Sequence, residues 1–160
     1  MATETLEKAR FNMVQQQIRP WDVFDQRVLD ILETLPRDGF VPETYLDLAY
    51  ADIEIPIGAG QQMMFPRVEA RLMQALDIQP EDSILEIGTG SGYLTACLAK
   101  LGSRVVSLDT RAEFTRQAAE RLAAHGIDNV ELQTSDGLAA PHASGPFDVI
   151  AVTGSLPQLP

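Results

Sequence analysis

The sequence predicts an α/β chain: a doubly wound, mostly parallel sheet preceded by an N-terminal helical extension. Three observations predict it. Ile84-Leu85-Glu86-Ile87 is apolar enough for a strand covered on both faces, and it runs into the glycine-rich turn Gly88-Thr89-Gly90-Ser91-Gly92. From Leu94 onward the order is helix, strand, helix, strand, loop, strand, an alternation that puts a ligand outside the carboxyl ends of the strands. The 160 residues are 45% hydrophobic, which is enough apolar material for a core.

The first half is mostly helical. Glu4 to Gln17 favours a helix, with Leu6, Phe11, Met13 and Val14 as apolar contacts and Pro20 beyond it as a stop. Asp25 to Leu35 forms a second, with Val28, Leu29, Ile31, Leu32 and Leu35 on one face before Pro36. Phe40-Val41-Pro42-Glu43 leads into a short turn or helix over Thr44 to Tyr50. Ile53, Ile55 and Ile57 alternate with Glu54 and Pro56, an extended segment at an edge, since proline cannot donate to a ladder. Gly58-Ala59-Gly60 turns the chain towards Gln61, Gln62, Met63, Met64 and Phe65, and Pro66 opens a helix with Val68, Leu72, Met73 and Leu76 inward. Met63 and Met64 suit the core and a pocket wall equally. The turn Pro80-Glu81-Asp82 separates the extension, residues 1–80, from the main domain, residues 81–160.

In the main domain, Arg104 to Asp109 is the second strand. Arg111 to Ala124 is a sheet-covering helix with Phe114, Ala118 and Leu122 inward and Gly126 after its end. Asn129 to Thr134 is the third strand, and the loop Ser135-Asp136-Gly137 after it reaches the level of an adenine ring. Asp148 to Thr153 is the fourth, and Val149-Ile150-Ala151-Val152 is apolar enough for cover on both faces.

The glycine spacing constrains the ligand. Gly88, Gly90 and Gly92 run Gly-x-Gly-x-Gly, and Tyr93 stands where a dinucleotide fingerprint needs its third glycine, which leaves NAD as a weaker alternative. No Lys-Ser or Lys-Thr follows, so a triphosphate lacks its lysine and its magnesium-binding hydroxyl. Asp109 lies 21 residues after Gly88, the separation at which a carboxylate accepts from ribose hydroxyls, although an aspartate at a strand end also caps helices. The net charge of −11, with 12 scattered basic residues, disfavours nucleic acid. No apolar run approaches the about 20 residues of a membrane span, and Met1 to Arg10 lacks a signal-peptide pattern. The expected location is the cytoplasm, with which the lone Cys97, read as a buried helix residue, agrees. His125 and His142, both read as loop residues, have no partners at metal-ligand spacing, so no metal site is expected.

Several segments together resemble the protein-L-isoaspartate O-methyltransferase family. They are Met13 to Pro20, Phe40-Val41-Pro42-Glu43, Ala49-Tyr50-Ala51-Asp52, Ile57 to Gln61, Leu85 to Tyr93 and Pro146 to Ile150. The resemblance implies a Rossmann-like class I methyltransferase fold with S-adenosylmethionine as cofactor and an N-terminal extension over the active site. By position, Glu86, Gly88, Thr89, Gly90, Ser91 and Gly92 would form the loop under the methionyl part, Asp109 would hold the ribose, and Asp136 with Gly137 would border the adenine. The implied activity is methylation of the misplaced carboxylate of isoaspartyl residues in a protein or peptide, which starts repair through a succinimide. A carboxylate is already nucleophilic, so no catalytic dyad is expected.

Two features depart from the family pattern. Members usually read Gly-Gln-Thr-Ile-Ser-x-Pro where this chain has Gly60-Gln61-Gln62-Met63-Met64-Phe65-Pro66, so Met64 stands at the Ser position and Gln62 at the Thr position. A thioether donates no hydrogen bond. Gln61, Gln62, Met63 and Met64 are therefore the substrate-pocket candidates of a divergent branch, and no catalytic residue is assigned. Class I methyltransferases also usually have seven strands, so the resemblance implies a sheet incomplete after its fourth strand, with an open edge that self-association would cover. The rival function is a non-catalytic S-adenosylmethionine-binding or protein-interaction module.

Overall fold

In a computed structural model of the chain, residues 2–139 and 144–154 are described. The chain divides into two compact units between Asp77 and Ile78.

The first unit is built on three helices. Helix α1 (Ala2–Met13) continues through a π-helical turn, Val14–Ile18, and a 3₁₀ turn, Arg19–Trp21, until Asp22 adopts a left-handed φ of 58°. Met13, Val14 and Ile18 are buried, whereas Phe11, expected inward, is 58% exposed. At 100° per residue Phe11 points away from half-buried Leu6 and buried Met13, which puts it on the solvent side of α1 before the π turn begins. Helix α2 (Gln26–Thr34) starts where the Asp25 carboxylate accepts from the Arg27 amide at 2.9 Å, and it buries Val28, Leu29, Ile31 and Leu32. Strands β1 (Ile55–Gly58) and β2 (Gln61–Met63) form a hairpin that sets Ile55 opposite Met63, both buried. The sequence pattern does not predict β2, because exposed Gln61 and Gln62 carry no apolar alternation.

Helix α3 (Pro66–Leu76) opens on Pro66 as expected, but its buried face differs. Glu69, Ala70 and Met73 point inward, and Val68, Leu72 and Leu76 are only half-buried. The cause is an ion pair: Glu69 meets the guanidinium of Arg37, and both side chains are buried. Arg37 also donates from Nη2 to the Met64 carbonyl at 2.7 Å. A charged residue on a core face is tolerated only with such a partner, and its presence turns the helix by about one position.

The second unit is a four-stranded parallel sheet in the order β5-β4-β3-β6. Its strands are β3 (Ser83–Ile87), β4 (Arg104–Asp109), β5 (Val130–Thr134) and β6 (Val149–Val152). Helix α4 (Tyr93–Leu101) packs on β4, and helix α5 (Ala112–Ala124) packs on β4 and β5. Leu85, Ile87, Val106 and Leu108 form the core on one face, with Phe147 and Val152 against it. Among the described residues β6 pairs on one side only, and Ile150 is 56% exposed. The two-faced cover expected for Val149 to Val152 is therefore corrected to burial of Ala151 alone, because an edge strand has a single neighbour to shield it. Ile87 lies opposite both Leu108 and Val152, and this register brings the carboxyl ends of three strands level.

Burial pushes the Glu69 carboxyl up to about 7, with Arg37 pulling it the other way. A raised folded pKa means that the Glu69 contribution is full below its unfolded value and is lost as the pH rises through about 7. Arg37→Met removes the opposing pull, so the folded pKa rises further and the ionised form loses its partner. We expect urea unfolding to show a loss of about 3–5 kcal/mol at pH 8 and a distinctly smaller one at pH 5. Equal losses at the two pH values would contradict the pairing.

Candidate cofactor site

The chain turns away from β3 at Gly88. Gly88, Gly90 and Gly92 take φ values of 109°, 53° and 86°, a left-handed path closed to most side chains. A Cβ on Gly88 would lie 2.8 Å from Thr153 Oγ1 and 2.9 Å from the Gly154 amide nitrogen, so packing against the end of β6 also demands glycine here. The Thr153 hydroxyl reaches both the Gly88 carbonyl at 2.7 Å and the Ile87 carbonyl at 3.1 Å.

The loop satisfies most of its own amides. Gly88 and Thr89 donate to the Leu108 carbonyl at 2.8 and 3.3 Å, and Gly92 donates to the Thr89 carbonyl at 3.0 Å. Gly90 donates to Asp109 Oδ2 at 3.0 Å, and Tyr93 donates to Ser91 Oγ at 3.2 Å. Arg121, reaching over from α5, donates to the Ser91 carbonyl at 2.9 Å. Half-burial draws the Arg121 pKa down, with Glu120 opposing.

Asp109 is half-buried at the end of β4, and its Oδ1 also accepts from the Arg111 amide at 3.0 Å at the start of α5. Each carboxylate oxygen has room for a second donor, so this local role leaves acceptor sites for ligand hydroxyls. Ser135 donates its amide to the Asp109 carbonyl at 2.9 Å, which ties the next loop to the same edge. A Cβ on Gly137 would lie 2.8 Å from Ile87 Cγ2, so this glycine lets the Asp136 loop lie against β3. Asp136 Oδ1 accepts from the Leu138 amide at 2.9 Å. Ser135 Oγ is buried without a hydrogen-bond partner among the described residues. Gly88 to Gly92, Asp109, Asp136 and Gly137 are thus gathered at one end of the sheet.

Three of the expected loop side chains are buried. Glu86 is fully so, and Thr89 and Ser91 nearly so. Glu86 Oε2 accepts from the Thr95 hydroxyl and from Ser107 Oγ, the latter at 2.6 Å, and Ser107 Oγ lies 2.6 Å from Thr89 Oγ1. Sequence reasoning did not single out Thr95, Ser107, Arg121 or Thr153, and it named Ser135 only as part of the loop at the adenine level. A signal for two of them existed: Glu86 in an apolar strand requires buried partners, and Thr95 and Ser107 are the hydroxyls of an apolar helix and an apolar strand.

Within the first unit, Gln61 and Gln62 are exposed, Met63 is buried and Met64 is half-buried. Cys97 is buried and unbonded to another cysteine. Among the described residues there is no cluster of His, Cys, Asp or Glu fit for a metal, and no helix is long and apolar enough to cross a membrane. His125 caps the end of α5, with Nδ1 2.7 Å from the Arg121 carbonyl; His142 lies outside the described residues.

Residues 8–160 match the family described as protein-L-isoaspartate(D-aspartate) O-methyltransferase. The chain belongs to that family. A protein-L-isoaspartate O-methyltransferase of Methanoculleus marisnigri is 38% identical over 160 residues, all of this chain and 73% of the relative's length. One from Rhodopseudomonas palustris is 40% identical over 148 residues, 92% of this chain and 68% of the relative. Among solved structures, a protein-L-isoaspartate O-methyltransferase superposes with a TM-score of 0.75 at 26% identity, over 92% of this chain and 47% of that one. A Plasmodium falciparum protein described as a member of the same family, in complex with S-adenosyl-L-homocysteine, gives a TM-score of 0.79 at 21% identity, over 97% and 76% of the two chains. The fold is that of the class I methyltransferases, to which the four parallel strands and their flanking helices belong.

Gly88→Ala tests the loop's anchorage to β6. The left-handed φ and the contacts at 2.8 and 2.9 Å should lower stability by about 1–3 kcal/mol in urea unfolding. An unchanged midpoint would show that the loop is not held as described.

Proposed function

We propose that this chain binds S-adenosylmethionine at the Gly88–Gly92 loop and serves transfer of its methyl group to a protein or peptide carboxylate. The observation that carries the reading is the use of the loop's amides. A phosphate at such a turn is held by free backbone N–H groups. Here the amides of Gly88, Thr89, Gly90, Gly92 and Tyr93 are engaged by Leu108, Asp109, Thr89 and Ser91. A ligand without phosphates suits that donor set better than a dinucleotide does, and a cationic one suits the Asp109 and Asp136 carboxylates.

When bound, the cofactor supplies an electrophilic methyl group on a sulfonium. Asp109 accepts from its ribose hydroxyls, Asp136 and Gly137 border the adenine, and the Ser135 hydroxyl offers a further polar contact beside them. The loop backbone from Gly88 to Gly92 lies under the methionyl part, with Glu86 and Thr89 supporting it. An acceptor carboxylate needs no general base, so the chain's contribution is alignment of oxygen, carbon and sulfur. We assign acceptor choice to Gln61, Gln62, Met63 and Met64 by their correspondence with the family's Gln-Thr-Ile-Ser segment. The missing hydroxyl at Met64 leaves a weaker carboxylate site than the family's serine provides.

Isothermal calorimetry should show binding of S-adenosylmethionine and S-adenosylhomocysteine and none of NAD; NAD binding alone would overturn the reading. Methylation of an isoaspartyl peptide should be weak, and Met64→Ser should raise it by about tenfold, the worth of one hydrogen bond to a charged group. Robust turnover without the substitution would show that the hydroxyl is dispensable.

A further inference from the structure

We infer that Glu86 is a positioning residue, which sets the conformation of the glycine loop through Ser107 and Thr89 and makes no contact with the cofactor itself. The inference rests on the cofactor reading above and extends it to the groups behind the loop. Glu86 has no solvent exposure, and its Oε2 is turned to the Thr95 and Ser107 hydroxyls.

Proton counting fixes the direction of the chain of hydrogen bonds. A serine hydroxyl has one proton, and Ser107 gives its proton to Glu86 at 2.6 Å. The contact between Ser107 Oγ and Thr89 Oγ1, also 2.6 Å, must then run with Thr89 as donor. Thr89 lies between two left-handed glycines, which alone leave the backbone wide freedom. The hydroxyl contact removes that freedom: it holds the Thr89 side chain inward, beneath the loop. The Thr89 carbonyl in turn accepts from the Gly92 amide at 3.0 Å and closes the turn. Thr95 sits in the first turn of α4, so the same carboxylate also fixes where the helix begins. One carboxylate oxygen thereby couples β3, β4, the loop and α4. Hydrogen bonds in one buried network reinforce one another, so losing one hydroxyl should loosen the rest.

The test uses the full chain with Thr89→Val, Thr89→Ser, Ser107→Ala and the double variant Thr89→Val/Ser107→Ala. Thr89→Ala stands in if Thr89→Val does not fold. Three quantities are measured: affinity for S-adenosylhomocysteine by calorimetry, thermal midpoint, and amide hydrogen exchange at Gly88–Gly92 in ligand-free protein. We expect Thr89→Val and Ser107→Ala each to weaken binding about tenfold. The double variant should be no weaker than about twofold beyond either single one, because one chain of bonds is being broken twice. Thr89→Ser, which keeps the hydroxyl, should bind as the wild type does, and loop exchange should quicken in every variant except this one. Lower thermal midpoints with unchanged affinity and unchanged loop exchange would reduce the network to a structural role and overturn the inference. If the wild-type chain bound no S-adenosylhomocysteine, the cofactor reading would fail, and loop exchange in the ligand-free variants would still decide the positioning role.

Discussion

The second unit depends on one register. Ile87 lies level with Leu108 on one side and with Val152 on the other, so β3 can end only between two neighbouring strand ends. The carbonyl of Leu108 then takes the Gly88 and Thr89 amides, and the Thr153 hydroxyl donates to the Gly88 carbonyl. Glycine at position 88 is demanded by these neighbours before any ligand is considered, since a Cβ would collide with both the side chain and the backbone at the end of β6. The same level edge brings Asp109 and the Asp136 loop to the glycine turn. Parallel sheets with ligands at their carboxyl edge arise from this geometry in general, and here its three contributors are joined by identifiable hydrogen bonds.

The electrostatics of the edge depend on which groups are already engaged. Donors are scarce, because the loop's amides bond to carbonyls, to a serine oxygen and to Asp109; acceptors are plentiful, because carboxylates keep spare lone pairs after capping a backbone amide. An acceptor-rich, phosphate-averse site in a chain of net charge −11 favours a ligand with hydroxyls, an amine and a positive centre. The buried carboxylate of Glu86 plays a different part. Its Oε2 is held inside the unit by two hydroxyl donors, much as Arg37 holds Glu69 in the first unit.

The parallel sheet was legible because β3, β4 and β6 are largely apolar runs with glycine close by, and the bounds of β4 and the start of α5 fall within a residue of expectation. The candidate loop and Asp109 were legible through spacing alone. What escaped the sequence are features set by tertiary partners. The face of α3 turned with Glu69 towards Arg37 and away from the hydrophobic period, Phe11 fell on the solvent side of α1, opposite Met13, and β2 formed on polar residues because Met63 pairs with Ile55. The hydroxyls under the loop escaped for a related reason. Thr95 and Ser107 are unremarked single residues in sequence, and only the fold shows that both face one carboxylate.

The most direct measurement is a crystal structure of this chain with S-adenosylhomocysteine. The account predicts ribose hydroxyls within hydrogen-bond distance of the Asp109 carboxylate, adenine beside Asp136 and Gly137, and Glu86 still turned inward to Thr95 and Ser107. A ligand seated away from Asp109, or a Glu86 side chain swung out to meet it, would contradict the account.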